Sequence, residues 1–271
     1  MNHYRRILSA VIILPPVIFF LLFASHELFT VLVCGVACLS LHEYFRLLMM
    51  KQAPVGMWLS YTLTLALPGA AYLQGPELMA PVLTFGVILL IAAALWQADA
   101  ETSPFLALMG SQFGVLFIGW GLSHVVILHG LEHGAMITLL FCAVLWSGDI
   151  AAMYVGRLLG RHRMAPSISP GKTWEGALGG LLGSLLVAAF GAQVLALPIS
   201  VAQSLLFGFL LSCAAQIGDL AESLFKRYIG VKDSGSLIPG HGGLLDRLDS
   251  FFLAAPPAAY FFISLDALTL R

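Results

Sequence analysis

The chain has 271 residues, of which 59% are hydrophobic and only 10% charged, with a mean hydropathy of +0.93 and a formal net charge of −1. Soluble domains carry about 25% charged residues, so this balance excludes a soluble globular fold. It offers no basic groove laced with aromatics, which excludes a nucleic-acid partner, and leaves an all-α, polytopic bundle in a lipid bilayer.

A membrane-crossing helix needs roughly 20 mainly apolar residues. About nine windows come near that length: Ile7–Ala24, Leu28–Met49, Met57–Tyr72, Leu78–Trp96, Phe105–Leu122, Gly134–Val155, Gly176–Leu195, Ser200–Gly218 and Ser250–Ile263. Arg5 and Arg6 ahead of the first window imitate a secretion signal, but His26-Glu27 is no small-residue cleavage site, so the window reads as a retained span. Pro15-Pro16 should kink that span, Pro68-Gly69 weaken the third, and Pro256-Pro257 interrupt the last, because proline lacks an amide donor and clashes with the preceding turn. The whole of 1–271 therefore reads as one membrane-embedded domain, with N-terminal spans in 1–145 and the motif-bearing portion in 146–271. Cys34, Cys38, Cys142 and Cys213 all fall inside apolar windows and read as packing residues rather than zinc ligands.

With the N-terminus in the cytoplasm and nine alternating spans, 12 of the 13 basic residues fall on the cytoplasmic side and only Arg271 opposite. This is the positive-inside asymmetry, and it supports both the span count and the orientation. The two long cytoplasmic segments are then Gly156–Glu175 and Asp219–Asp249. His42 and Glu43 are a further polar intrusion in the second window, lining a cleft or sitting at the interface. His129 and His133 are spaced i,i+4 but lack the further ligands of a metal site.

Nine of the chain's 27 Lys, Arg, Asp and Glu residues lie between Asp219 and Asp249. Asp219, Glu222, Ser223 and Lys226 share one face if the eighth span continues as a helix. Carboxylates there suit a cation where the helix leaves the bilayer; the blander reading is an interfacial cap with a Glu222–Lys226 pair. Gly242-Gly243 permits a tight turn or a close approach of amides to phosphate. A helix starting at Leu244 would set Asp246 and Asp249 one turn apart, and with Asp219 they could form a paired Mg²⁺ site. Arg247 stands between the aspartates as a phosphate ligand or a supporting partner. In the other segment, Gly171-Lys172-Thr173 resembles the end of a phosphate-binding P-loop, but Pro166 stands where its first glycine belongs, so that reading fails. What remains is a basic loop facing lipid headgroups.

The run Ser223-Leu224-Phe225-Lys226-Arg227, then Lys232-Asp233-Ser234-Gly235, then Leu237 through His241-Gly242-Gly243 to Asp246-Arg247-Leu248-Asp249 resembles the phosphatidate cytidylyltransferase (CDP-diacylglycerol synthase) signature. The likeness extends over Ser147–Asp249, and the nine-span layout fits the whole chain. It implies transfer of CMP from CTP to phosphatidate, giving CDP-diacylglycerol and pyrophosphate. It also implies a dependence on Mg²⁺, as two ions of which one could be monovalent.

By residue, the resemblance implies Asp219, Asp246 and Asp249 as metal ligands, acting with Lys226 and Arg247 in catalysis. It implies substrate contacts from Ser169, Lys172, Thr173, Ser223, Arg227, Lys232, His241, Gly242 and Gly243; Asp149, a charge inside the sixth window, should face the polar cavity, in nucleotide binding or paired with Lys172 or an arginine. The setting it implies is a bacterial inner membrane with CTP, phosphatidate and the bilayer as partners. The small-residue run Gly176-Ala177-x-Gly179-Gly180-x-x-Gly183 allows close helix approach, and such faces suit a homodimer. Two other readings are weaker. A CDP-alcohol phosphotransferase would carry a DG-x-x-AR motif, absent here, and an ion-coupled transporter gives no reason for so dense a phosphate-like motif.

Overall fold

A computed structural model describes residues 15–97, 104–235 and 242–269, with side chains to 265. A helix (α1) covers 15–23. It is followed by α2 (His26–Leu48), α3 (Met57–Gln74), α4 (Pro76–Trp96), α5 (Pro104–Gly114), α6 (Gly121–Gly130), α7 (Gly134–Leu159), α8 (Trp174–Val194), α9 (Val201–Ile229) and α10 (Leu245–Thr269). Between α5 and α6 a π-helical stretch, Val115–Trp120, makes the two continuous. Seven helical stretches among the described residues are long and apolar enough to cross a membrane. With α1 and the shorter, more polar α3, they correspond one for one to the nine apolar windows. The chain is a multi-pass helical membrane protein.

Windows and helices differ at their ends, for a physical reason. The apolar stretch sets where lipid is, but the backbone ladder continues through charged residues when nothing breaks it. Thus α7 runs on to Leu159, α9 runs 29 residues to Ile229, and α10 begins at Leu245, ahead of its apolar part. The expectation that Pro256-Pro257 would interrupt the last span is corrected, since α10 passes through both; α3 likewise passes through Pro68. His133 has φ = 57° just before α7, so it does not share a helix face with His129, whose Nδ1 lies 3.3 Å from His26 Nδ1 instead.

Helix starts are set locally. The Ser25 hydroxyl accepts from Leu28 N, Ser200 and Gln203 form a reciprocal capping box, and Thr173 accepts from Gly176 N to open α8. Gly230, at φ = 93°, ends α9 in the left-handed conformation glycine tolerates. Large buried side chains, among them Tyr44, Phe45, Phe141, Phe207 and Phe252, knit the bundle together, while Trp96, Phe190 and Val194 lie on the exposed outer surface.

The closest pair is α7 with α8, where glycines replace side chains. A Cβ on Gly176 would stand 2.9 Å from the Ala152 carbonyl oxygen and 3.1 Å from Gly156 Cα, both backbone atoms that cannot step aside cheaply. Gly176→Ala is therefore expected to lower stability by about 1–3 kcal/mol, read as a reduced melting temperature in detergent. An unchanged melt would show that α7 and α8 separate freely.

The segment Gly156–Glu175, expected as a loop, contains a β-hairpin. β1 (Arg163–Ala165) pairs antiparallel with β2 (Ser169–Thr173), with Arg163 opposite Thr173 and Ala165 opposite Ser169. Glu175 closes its base, accepting from Arg161 N (3.1 Å) and His162 N (3.2 Å) and meeting His162 Nδ1 at 2.6 Å. The hairpin caps one end of the bundle, where α2, α7 and α9 finish and α8 and α10 begin. Helices alternating through a bilayer put those five termini on the same side.

Candidate active site

A cavity of about 670 Å³ opens beneath the hairpin. Its charged lining comes from five elements: Asp149 and Arg157 on α7, Arg163 on β1, Lys172 on β2, Asp219 on α9, and Asp246 and Asp249 on α10. Each is there for a local reason. Helical continuation of α9 beyond its apolar part carries Asp219 to the cavity wall. The α10 start places Asp246 and Asp249 one turn apart, and the two-stranded turn folds Lys172 back over the helix ends.

Lys172 Nζ meets Asp219 Oδ2 at 2.6 Å. Asp219 Oδ1 accepts from Ser223 Oγ at 3.4 Å, one turn further along α9. Asp249 lies within electrostatic range of Asp219, Asp149 and Glu222, and Asp149 has Ser250 as a hydrogen-bond partner. Carboxylates so crowded repel one another, and Lys172 offsets part of that repulsion.

Asp246 is more fully engaged. Oδ1 receives Lys226 Nζ at 2.7 Å, while Oδ2 accepts from Ser234 N (2.9 Å), Ser234 Oγ (2.9 Å) and Gly243 N (3.1 Å). Lys226 also pairs with Glu222 at 2.5 Å, one turn back on α9. Glu222 is 1% and Lys226 12% exposed, so this is a buried Glu222–Lys226–Asp246 chain behind the cavity. Gly242 sits at φ = 88°, a conformation that L side chains resist, and a Cβ there would lie 3.2 Å from Asp246 Oδ2.

Of the residues singled out from sequence, Asp149, Lys172, Thr173, Asp219, Asp246 and Asp249 line the cavity. Thr173 does so with its hydroxyl engaged as the α8 cap. Ser223 and Lys226 stand behind the wall, each bonded to one of its aspartates. Arg227, expected at substrate phosphate, does not line the cavity. Its Nε donates to Ile168 O (2.9 Å) and an Nη to Val231 O (3.2 Å), tying the hairpin tip to the end of α9. Ser169 pairs within the hairpin and Lys232 is exposed beyond α9; neither lines the cavity. Arg247, on the first turn of α10, does not line it either. Gly242 and Gly243 shape the turn before α10, and His241 lies outside the described residues.

Arg157, Arg163 and Gln216 line the cavity without having been singled out. Gly156-Arg157 stood in view in the sequence, but only the hairpin brings Arg163 over the helix ends. Glu43 on α2 is 5% exposed and accepts from Leu245 N at 2.9 Å; it lies in the interior, neither lining the cavity nor at the membrane interface as expected.

Comparison with known proteins bears on what such a cavity does. The model of the cytidylyltransferase family matches residues 4–265, nearly the whole chain. The chain belongs to that family. It is 32% identical to a phosphatidate cytidylyltransferase of Bacillus subtilis (strain 168), over 96% of this chain and 97% of the relative. It is 30% identical to one of Haemophilus influenzae over 95% and 98%. A Synechocystis protein of the same name is 48% identical over 132 residues, about half of each chain.

The family's chemistry raises the question of a metal. Among the described residues no group of three or more His, Cys, Asp or Glu side chains is already drawn together as a metal shell. The donor chemistry fits a hard divalent cation all the same. Asp149, Asp219 and Asp249 present carboxylate oxygens, the ligands Mg²⁺ prefers, to one cavity from three helices.

Proposed function

We propose that this protein transfers CMP from CTP to phosphatidate, releasing pyrophosphate and leaving CDP-diacylglycerol in the bilayer. The observation that carries the reading is the cavity itself, aspartate-lined and rimmed by Lys172, Arg157 and Arg163 at one end of a membrane bundle, in a chain similar along its whole length to proteins named for this reaction.

A phosphate oxygen of phosphatidate attacks the α-phosphorus of CTP. One P–O bond forms there as the bond to the bridging oxygen breaks, and that oxygen leaves with pyrophosphate. The attacking phosphomonoester is already largely ionised at neutral pH, so no side chain need take a proton, and the protein's work is positioning and charge neutralisation. Arg157, Arg163 and Lys172 are placed to hold the phosphates. Asp219 and Asp249, with Asp149 beside them, would hold Mg²⁺. Asp246, on the same wall of the cavity, would be a further ligand. The metal's contribution is to polarise the phosphoryl group and neutralise the pyrophosphate. The side bearing Arg157, Arg163 and Lys172 is assigned to the cytoplasm of a bacterial inner membrane, where CTP is available, and the same reading includes a homodimer.

The test is turnover of the purified full chain in nanodiscs with phosphatidate and CTP labelled at the α-phosphate, with and without Mg²⁺. Label should enter the lipid fraction only with the metal. A folded, monodisperse sample that leaves the lipid unlabelled would rule out the reaction. Labelling that persists in a chelator would rule out the metal.

A further inference from the structure

Among the described residues, Glu43 on α2 reaches the start of α10 through its carboxylate, about 200 residues away in sequence. Its Oε2 accepts from Leu245 N at 2.9 Å and lies 3.4 Å from Ser234 Oγ. Leu245 is the first residue of α10, whose opening amides have no partner within the helix. A carboxylate there satisfies a donor and opposes the positive end of the helix dipole. The cap, normally a neighbour in sequence, is supplied here from α2.

The contact is built rather than incidental. Glu43 is 5% exposed, and a Cβ on Gly235 or Gly243 would fall 2.9 Å or 2.7 Å from its two carboxylate oxygens. Only glycine lets both backbone segments close over it. Ser234 joins this carboxylate to the site, since the hydroxyl that faces Glu43 also donates to Asp246 Oδ2 at 2.9 Å. Glu43 does not line the cavity.

We propose that Glu43 is a positioning residue that pins the N-terminus of α10 and thereby sets Asp246 and Asp249 in register with Asp219. The assignment rests on the proposed reaction for its kinetic arm only. Its test compares Glu43→Ala and Glu43→Gln with the parent protein in nanodiscs, measuring kcat and KM for CTP, thermal unfolding, and amide hydrogen exchange along the chain.

In Glu43→Ala, kcat should fall about 10²-fold, the scale of a displacement of about 1 Å at a reacting centre, while KM changes less than about threefold. Exchange should quicken in 242–250 and stay unchanged in α7 and α8. Glu43→Gln keeps an oxygen for Leu245 N and should recover most of the lost kcat. The assignment is overturned if Glu43→Ala keeps its kcat, if exchange quickens throughout the bundle, or if Glu43→Gln is as impaired as Glu43→Ala. Should the parent protein form no product, the proposed reaction is wrong, and the exchange pattern alone decides whether Glu43 pins α10.

Discussion

Asp219→Asn should leave the purified protein folded and lower CMP transfer by about three orders of magnitude, the upper scale for losing one electrostatic stabiliser in a preorganised site. The substitution is isosteric, and the side chain is 34% exposed, so little packing changes. Its effect is on charge. Asp219 meets Lys172 at 2.6 Å and faces Asp149 and Asp249 across the cavity. Removing its negative charge would leave the proposed cation one carboxylate fewer and free Lys172 from its partner. The deficit should appear at every CTP concentration and shrink only partly as Mg²⁺ is raised. Activity near that of the parent across a Mg²⁺ titration would remove Asp219 from the ligand set.

Lys226→Met should produce the largest loss of stability. The ammonium bridges Glu222, 1% exposed, and Asp246, 11% exposed. A thioether of similar length fills the space but leaves both carboxylates without their cation. Removing one member of a buried ion pair typically costs about 3–5 kcal/mol, because the other charge stays desolvated. Asp246 also gathers Ser234 and Gly243, so the turn before α10 should loosen and CMP transfer fall with it. Adding Glu222→Gln to Lys226→Met should restore part of the melting temperature by removing one stranded charge. A single variant that melts like the parent would show that the chain of charges contributes nothing net.

Spans were legible because lipid imposes one dominant requirement, a length of apolar residues, and every window after the first, of which the described residues cover only part, found its helix. Helix ends were less legible, since Arg157 and Lys226 stop neither hydrogen bonding nor helix growth. Neither strand of the hairpin could be read: Ser169-Pro170-Gly171-Lys172-Thr173 has no alternation of apolar and polar residues, and its pairing with Arg163–Ala165 comes from closure by Glu175 and a tie from Arg227. For the site, composition located the right segments. Asp219 stood out as a charge at the end of an apolar run and Asp149 as one inside such a run, while Lys172 came from the family resemblance; all three line the cavity. Arg227 was read as a phosphate ligand from its chemistry; the fold adds that its Nε and one Nη donate to carbonyls of the hairpin and the end of α9. Glu43 was one carboxylate in an apolar window, and the partners that give it a purpose come from the far end of the chain.

The length of α9 has a bearing on traffic through the site. Its 29 residues span about 43 Å at 1.5 Å each, against a hydrocarbon layer of about 30 Å. Asp219 lies 18 residues from Val201, about 27 Å along the axis, so a helix that enters the hydrocarbon layer at Val201 would set it where acyl chains give way to headgroups. A membrane phospholipid already carries its phosphate at that depth and need be neither lifted out nor drawn in. The two products then part in different dimensions: pyrophosphate leaves perpendicular to the membrane into three-dimensional solution, while the liponucleotide diffuses away within the plane of the leaflet.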